Sequence, residues 1–245
     1  MHSARAASTP SHDLGSDVLE EPLFSGIFSP ITNLFSTVLT VLYNLLDNFG
    51  FGSYGLAIIL LTVIIKIILY PLTKKQIQSM KAMQEIAPKM KKLQEKYKDD
   101  PQALQQKMVA LYQKAGVNPL AGCLPMLIQM PILMAMYYTF FSFDYGGAQP
   151  SFLWIPTLSD TDPLYILPIL AALSTLLMQK ISTVEMNQQT KIMMIFFPLF
   201  MGFISINLPA GLVLYWVTQN VVQILQQLLI YRNIDANSNS NKEAA

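Results

Sequence analysis

Lys66 interrupts an otherwise apolar run, and it is the residue from which any chemistry in this chain must start. Leu56–Gln76 reads LAIILLTVIIKIILYPLTKKQ. A charge in lipid costs at least ~2.5 kcal/mol, so an ammonium here needs a reason. Its stem can snorkel toward the nearer interface, or the side chain can face a wet cavity. Thr62 lies one turn earlier on the same face. A second constellation lies near the C-terminus. Trp216, Gln219, Asn220, Gln223 and Gln227 fall at i, i+3, i+4, i+7 and i+11, one face of a helix. Four amides on one stripe suit interhelical hydrogen bonding or the wall of a polar groove. Gln129 and Gln179 place single amides on two further apolar segments. Together with the lysine these residues describe a hydrophilic groove among several helices.

That chemistry is binding and electrostatic attraction, not bond-making. No apolar segment contains Asp or Glu, which argues against a proton- or cation-coupled relay. The only histidines, His2 and His12, lie in the polar N-terminal stretch. No nucleophile has a plausible base, no Cys/His spacing suggests zinc, and Cys123 reads as a small apolar side chain. No catalytic residue, metal site or cofactor is expected, and the chain does not read as an enzyme.

The elements that must position these residues are membrane elements. Hydrophobic residues make up 52% of the 245 and charged residues 13%, about half the charged share of a soluble domain. The net charge of +1 gives no reason to expect nucleic-acid recognition. A span needs roughly 20 mostly apolar residues, and five stretches approach this, at 53–73, 121–143, 163–181, 192–208 and 209–231. Asn207–Gly211 joins the last two as a tight turn. Residues 1–23 read as a disordered lead without the apolar core of a signal peptide, and 232–245 as a disordered cytoplasmic tail.

Residues 24–48 carry an apolar stripe through Phe24, Ile27, Phe28, Ile31, Leu34, Phe35, Val38, Leu42, Leu45 and Leu46, with polar residues elsewhere. This pattern predicts an amphipathic helix in the interface plane; the alternative is a further span. Residues 74–118 form a lysine-rich helical hairpin. Its apolar stripe includes Met80, Met83, Met90 and Met108, either packed within the hairpin or offered as an adaptable contact surface. Asp100 as N-cap and Pro101 at the first helical position restart the helix, and Pro88 predicts a kink. Ten lysines against four acids give the hairpin +6, which places it in the cytoplasm. The loop 144–162 has Asp144, Asp160 and Asp162 and no basic residue, so it lies outside. Five spans, N-out and C-in, follow.

Four motifs carry a family resemblance: YPLTKKQ at 70–76, VNPLAGCLPMLIQMPI at 117–132, LWIPTLSDTDPLYILPIL at 153–170 and PAGLVLYWVTQNVVQILQQLLIYR at 209–232. Over about 24–234 the chain resembles the YidC/Oxa/Alb family of membrane protein insertases, in its short form without the large extracytoplasmic domain. The resemblance implies an all-α integral membrane protein of the bacterial plasma membrane. It implies five transmembrane helices around a groove open to cytoplasm and lipid, an N-terminal interfacial helix and a substrate-recruiting cytoplasmic hairpin. Lys66 occupies a position where the family usually has arginine, so attraction of acidic segments carries over but bidentate pairing does not. Thr62, Gln179 and Trp216 match positions that line the family's groove. The implied function is insertion and folding of nascent membrane proteins, beside the Sec translocon and the ribosome. A small transporter or channel is the rival class; it calls for a route to both sides and usually for internal repeats, which are not visible.

Overall fold

The structure, a computed structural model, describes residues 22–118, 124–143, 145, 150–182 and 188–243. The lead 1–21, Cys123, Asp144 and 183–187 of the loop 182–191 lie outside the described residues. The described residues form helices α1 (Pro22–Asn48), α2 (Tyr54–Ile68), α3 (Tyr70–Lys96), α4 (Pro101–Ala115), α5 (Leu124–Ser142), α6 (Ile166–Ser182), α7 (Gln188–Ser205) and α8 (Ala210–Glu243), with no strand among them.

α8 is the hub. It packs on α2, α3, α5 and α6, while α1 lies against α2 and α5, and α7 against α6. One core joins Leu39 of α1, Ala57 and Ile58 of α2, Met136 and Phe140 of α5, Ala171 of α6, and Val213 and Tyr215 of α8. Tyr43 and Tyr54 stack at 4.0 Å where α1 turns into α2.

No single described helix is long and apolar enough to cross a membrane; α2 and α3 pass that test only as a pair, bent by 68°. The run expected as one helix over 53–73 therefore breaks at Leu69, which ends α2 and precedes Tyr70-Pro71 of α3. Proline at the second helical position has no N–H to continue the ladder, so the run bends there. Pro88, in contrast, sits inside α3 without ending it.

Two expectations gain detail and one, the disordered tail, changes. Leu34 and Leu45 of the α1 stripe are exposed, and the residue buried completely is Leu39. The inward row is Phe35, Leu39 and Leu42, because α1 is seated between α2 and α5. The tail after Tyr231 is helical through Glu243, a continuation of α8. Polar composition suggested disorder, but Ile234 packs with Ile77, Met80 and Ile230 at its base. Of the hairpin methionines, Met80 and Met90 are buried and Met83 and Met108 half-buried, so the first two serve packing.

The hairpin's joint is as the sequence indicates. The Asp100 side chain accepts from the Ala103 N–H at 2.9 Å, and Pro101 opens α4. Gly116 closes α4 at φ 64°, a left-handed cap that glycine adopts without a Cβ penalty. α4 itself buries no residue.

α6 and α7 approach closely where Gly202 meets Ala172; a Cβ built on Gly202 would stand 2.9 Å from the Ala172 Cβ. Small residues let helices pack this tightly in lipid. Gly202→Ala is expected to lower stability by about 1 kcal/mol through overpacking, read as a lower thermal midpoint in detergent. Gly202→Ala combined with Ala172→Gly should recover it.

Candidate functional site

Lys66 stands near the carboxyl end of α2, half-buried, and its Nζ donates to Gln223 Oε1 of α8 at 2.9 Å. The neighbouring turn of α8 holds the main chain of the same residue, since Gln226 Nε2 donates to the Lys66 carbonyl at 3.2 Å. That carbonyl lies just before the Leu69 bend, where backbone groups freed from the helix ladder need other partners. Lysine and joint are thus fixed by one face of α8. No ion pair to Lys66 occurs among the described residues; its partner is a neutral amide, which leaves the positive charge uncompensated.

The amide stripe divides its bonds among three helices. Gln219 Nε2 donates to Gln129 Oε1 of α5 at 2.6 Å, and Gln129 Nε2 donates to the Tyr215 hydroxyl at 3.0 Å. Asn220 Nδ2 donates to Ser174 Oγ and Thr175 Oγ1 of α6, at 3.1 and 3.0 Å. Trp216 Nε1 donates to the same Thr175 oxygen at 3.0 Å. Gln227 Nε2 reaches the Ile181 carbonyl and the Tyr231 hydroxyl, and its Oε1 accepts from Ser182 Oγ at 2.8 Å. Gln219, Asn220, Gln223 and Gln227 are all buried. Much of the stripe is therefore interhelical bonding, the plainer of its two sequence readings. Buried amides are expensive unless paired, and most of their atoms are paired. The buried Gln219 Oε1 is the exception within the stripe, and like Gln226 Oε1 it is an acceptor with no partner among the described residues.

The structure brings Lys66, Gln129, Gln219 and Gln223 together where α2, α5 and α8 meet. Trp216 and Asn220 turn toward α6. Thr62 is almost completely buried, and its hydroxyl donates to the Ile58 carbonyl of its own helix at 2.7 Å, so it offers no free donor. Gln179 is half-buried on α6 and makes no hydrogen bond to a described residue. Tyr215, Ser174, Thr175, Ser182 and Gln226 belong to the polar network and escaped the sequence reading. Ser174-Thr175 inside an apolar run was the available signal. For Gln226 there was none, because its role depends on the bend at Leu69.

On the opposite end of the bundle, Asp162 organises the entry to α6. Its Oδ1 accepts from Trp154 Nε1 and the Leu164 N–H at 3.0 Å each, and its Oδ2 from the Leu167 N–H at 2.7 Å. The residue expected only as a loop acid is buried and capping.

No group of three or more His, Cys, Asp or Glu able to hold a metal ion occurs among the described residues. The arrangement suits attraction and hydrogen bonding of a polar or acidic chain segment at one cation.

A family model described as 60Kd inner membrane protein matches residues 45–238. The chain is 43% identical over 219 residues to a membrane protein insertase YidC of Francisella philomiragia subsp. philomiragia, covering 89% of this chain and 39% of that protein. A membrane protein insertase YidC of Francisella tularensis subsp. novicida is 42% identical over 218 residues, with the same coverage. The chain thus spans 39% of the length of these curated relatives. It is also similar to a solved structure described as an active YidC insertase with the first transmembrane domain resolved. There the TM-score is 0.61 and the identity 28%, over 86% of this chain and 49% of that one.

Proposed function

The chain belongs to the 60Kd inner membrane protein family, and from that premise we propose that it is a membrane protein insertase and folding chaperone of the bacterial plasma membrane. The observation that carries the mechanism is the Lys66–Gln223 pair: a cation on a bent apolar helix, partnered by an amide and by no acid among the described residues.

In this reading α2, α5, α6, α7 and α8 are the five spans, N-out and C-in, and α1 lies in the outer interface. α6 and α7 have 17 and 18 residues, or about 26 Å of helix, short of a ~30 Å hydrocarbon core. A bilayer thinned around them lowers the barrier a polar tail must cross. A nascent segment docks on the hairpin α3–α4. Its polar or acidic N-terminal tail enters the groove beside Gln129, Gln219 and Gln223, drawn by Lys66. The substrate's apolar helix then moves into lipid along the exposed face of α6 and α7, where Leu173, Leu177, Phe196, Leu199 and Phe203 lie outward. Its burial drives the step at roughly 25 cal/mol per Å². The step uses no cofactor. The Sec translocon and the ribosome are the partners expected on the same premise.

Photo-cross-linking tests the groove. A benzophenone amino acid at Trp216 or Gln129 should capture a stalled single-span nascent chain through its N-terminal tail, and a label at Leu199 should capture the apolar helix. Capture at Leu199 with none at Trp216 or Gln129 would remove the groove from the route.

A further inference from the structure

The carboxyl end of α6 is held by side chains from other helices. Its last carbonyls, Ile181 and Ser182, accept from Gln84 Nε2 of α3 at 3.0 and 3.4 Å. Ile181 also accepts from Gln227 Nε2 of α8 at 3.3 Å. Terminal helix carbonyls need such partners, and here two other helices provide them. Tyr231 closes the ring, accepting from Gln227 Nε2 at 3.0 Å and donating to Gln84 Oε1 at 3.4 Å. Gln227 is completely buried at its centre.

The same place carries a second tie. Lys81 pairs with Asp235 on the helical extension of α8, with its ammonium 5.4 Å from the Tyr231 ring centroid. Ile77 and Met80 of α3 pack on Ile230 and Ile234 of α8. An exposed ion pair alone would hold little; next to buried amides and an apolar contact it adds to a closed ring. Below the 68° joint at Leu69, α3 is therefore held to the ends of α6 and α8 through Lys81 and Gln84, one turn apart.

We propose that Gln84 and Tyr231 are positioning residues that set the angle of the cytoplasmic hairpin relative to the groove, by using the terminal carbonyls of α6 as the anchor. The proposal rests on the insertase reading for its purpose, since a fixed hairpin delivers a captured segment toward Lys66 rather than away from it. Gln223 and Gln226, which hold Lys66 and its carbonyl, are on the turn of α8 just before Gln227. Groove and hairpin are thus read by consecutive turns of one helix.

The test is a distance measurement on the full chain in nanodiscs. In a Cys123→Ser background, nitroxides are attached at Gln105→Cys on α4 and Lys180→Cys on α6, and the distance distribution is recorded. Gln84→Glu keeps the acceptor for Tyr231 but faces the α6 carbonyls with an anion, and should roughly double the width of the distribution. Gln84→Lys restores a donor to those carbonyls and should keep the original width. Tyr231→Phe removes only the hydroxyl and should widen it by less. An unchanged width in Gln84→Glu, or equal widening in Gln84→Glu and Gln84→Lys, overturns the proposal. A thermal midpoint near that of the parent in each variant shows that the bundle is folded. Insertion measured on the same samples separates the two readings: a widened distribution with unimpaired insertion upholds the clasp and removes the hairpin's angle from the insertase mechanism.

Discussion

Lys66→Glu is expected to slow insertion of a single-span substrate with an acidic N-terminal tail by on the order of a hundredfold, whereas Lys66→Arg should leave it close to the parent rate. At an effective dielectric near 20, two unit charges about 6 Å apart interact by ~3 kcal/mol. Each ~1.4 kcal/mol realised only in the transition state is about tenfold in rate. Part of that attraction already exists in the docked complex and cancels, so removing the charge in Lys66→Met is expected to cost roughly tenfold. Reversal adds repulsion on top. The Gln223 amide cannot substitute, because it is a neutral dipole whose oxygen accepts a hydrogen bond from the lysine ammonium. Protease protection in proteoliposomes reads the rate, with a neutral-tail substrate as control. Neutral tails should respond only weakly to all three variants. Equal rates for acidic tails in the parent, Lys66→Met and Lys66→Glu would show that the charge does not act on the substrate.

Asp162→Ala carries the largest expected loss of stability, about 3 kcal/mol. Its carboxylate satisfies an indole N–H and two backbone N–H groups in a buried site. Hydrogen bonds to charged groups contribute roughly 1.5–3 kcal/mol each, and donors left buried without partners add to the cost, though not additively. With a response of ~2–4 °C per kcal/mol for a chain of this size, the thermal midpoint in detergent should fall by about 6–12 °C. Asp162→Asn keeps an oxygen acceptor but turns an amide toward one of the donors, so it should recover part of the loss. Trp154 emission should shift to the red in Asp162→Ala as its N–H loses the carboxylate and gains water. A midpoint within about 2 °C of the parent would rule out the capping role.

The parts of the fold legible in the sequence were those written in one helix at a time. The spacing of Gln219, Asn220 and Gln223 placed them on one face, and that face is buried. Asp100-Pro101 marked a cap that is present. What spacing cannot say is which neighbour a face meets. The stripe on α8 is wide enough to touch α2, α5 and α6, and its amides are shared among them. The part played by Gln226, which holds the Lys66 carbonyl, follows from that distribution, so it was not visible. The α8 extension was missed for a related reason. Asn and Ser have weak helix propensity, but Ile234 and Asp235 find partners on α3. Tertiary contact outweighs composition there. Asp162 gave a local signal, an acid before proline just ahead of an apolar helix, which reads as a turn as readily as a cap.

α7 packs on α6, and none of its residues belongs to the central core shared by α1, α2, α5, α6 and α8. Cooperativity in unfolding follows buried contact, so this helix, tied to the bundle through α6 alone among the principal packing partners, is expected to open at a lower free energy than the core. Its backbone amides should exchange with solvent deuterium ahead of those of α8 between Leu212 and Gln227 when the bilayer is replaced by a short-chain detergent. Exchange in that order would give the bundle a yielding side at α7, which in the insertase reading proposed above is the side where a newly made helix is released.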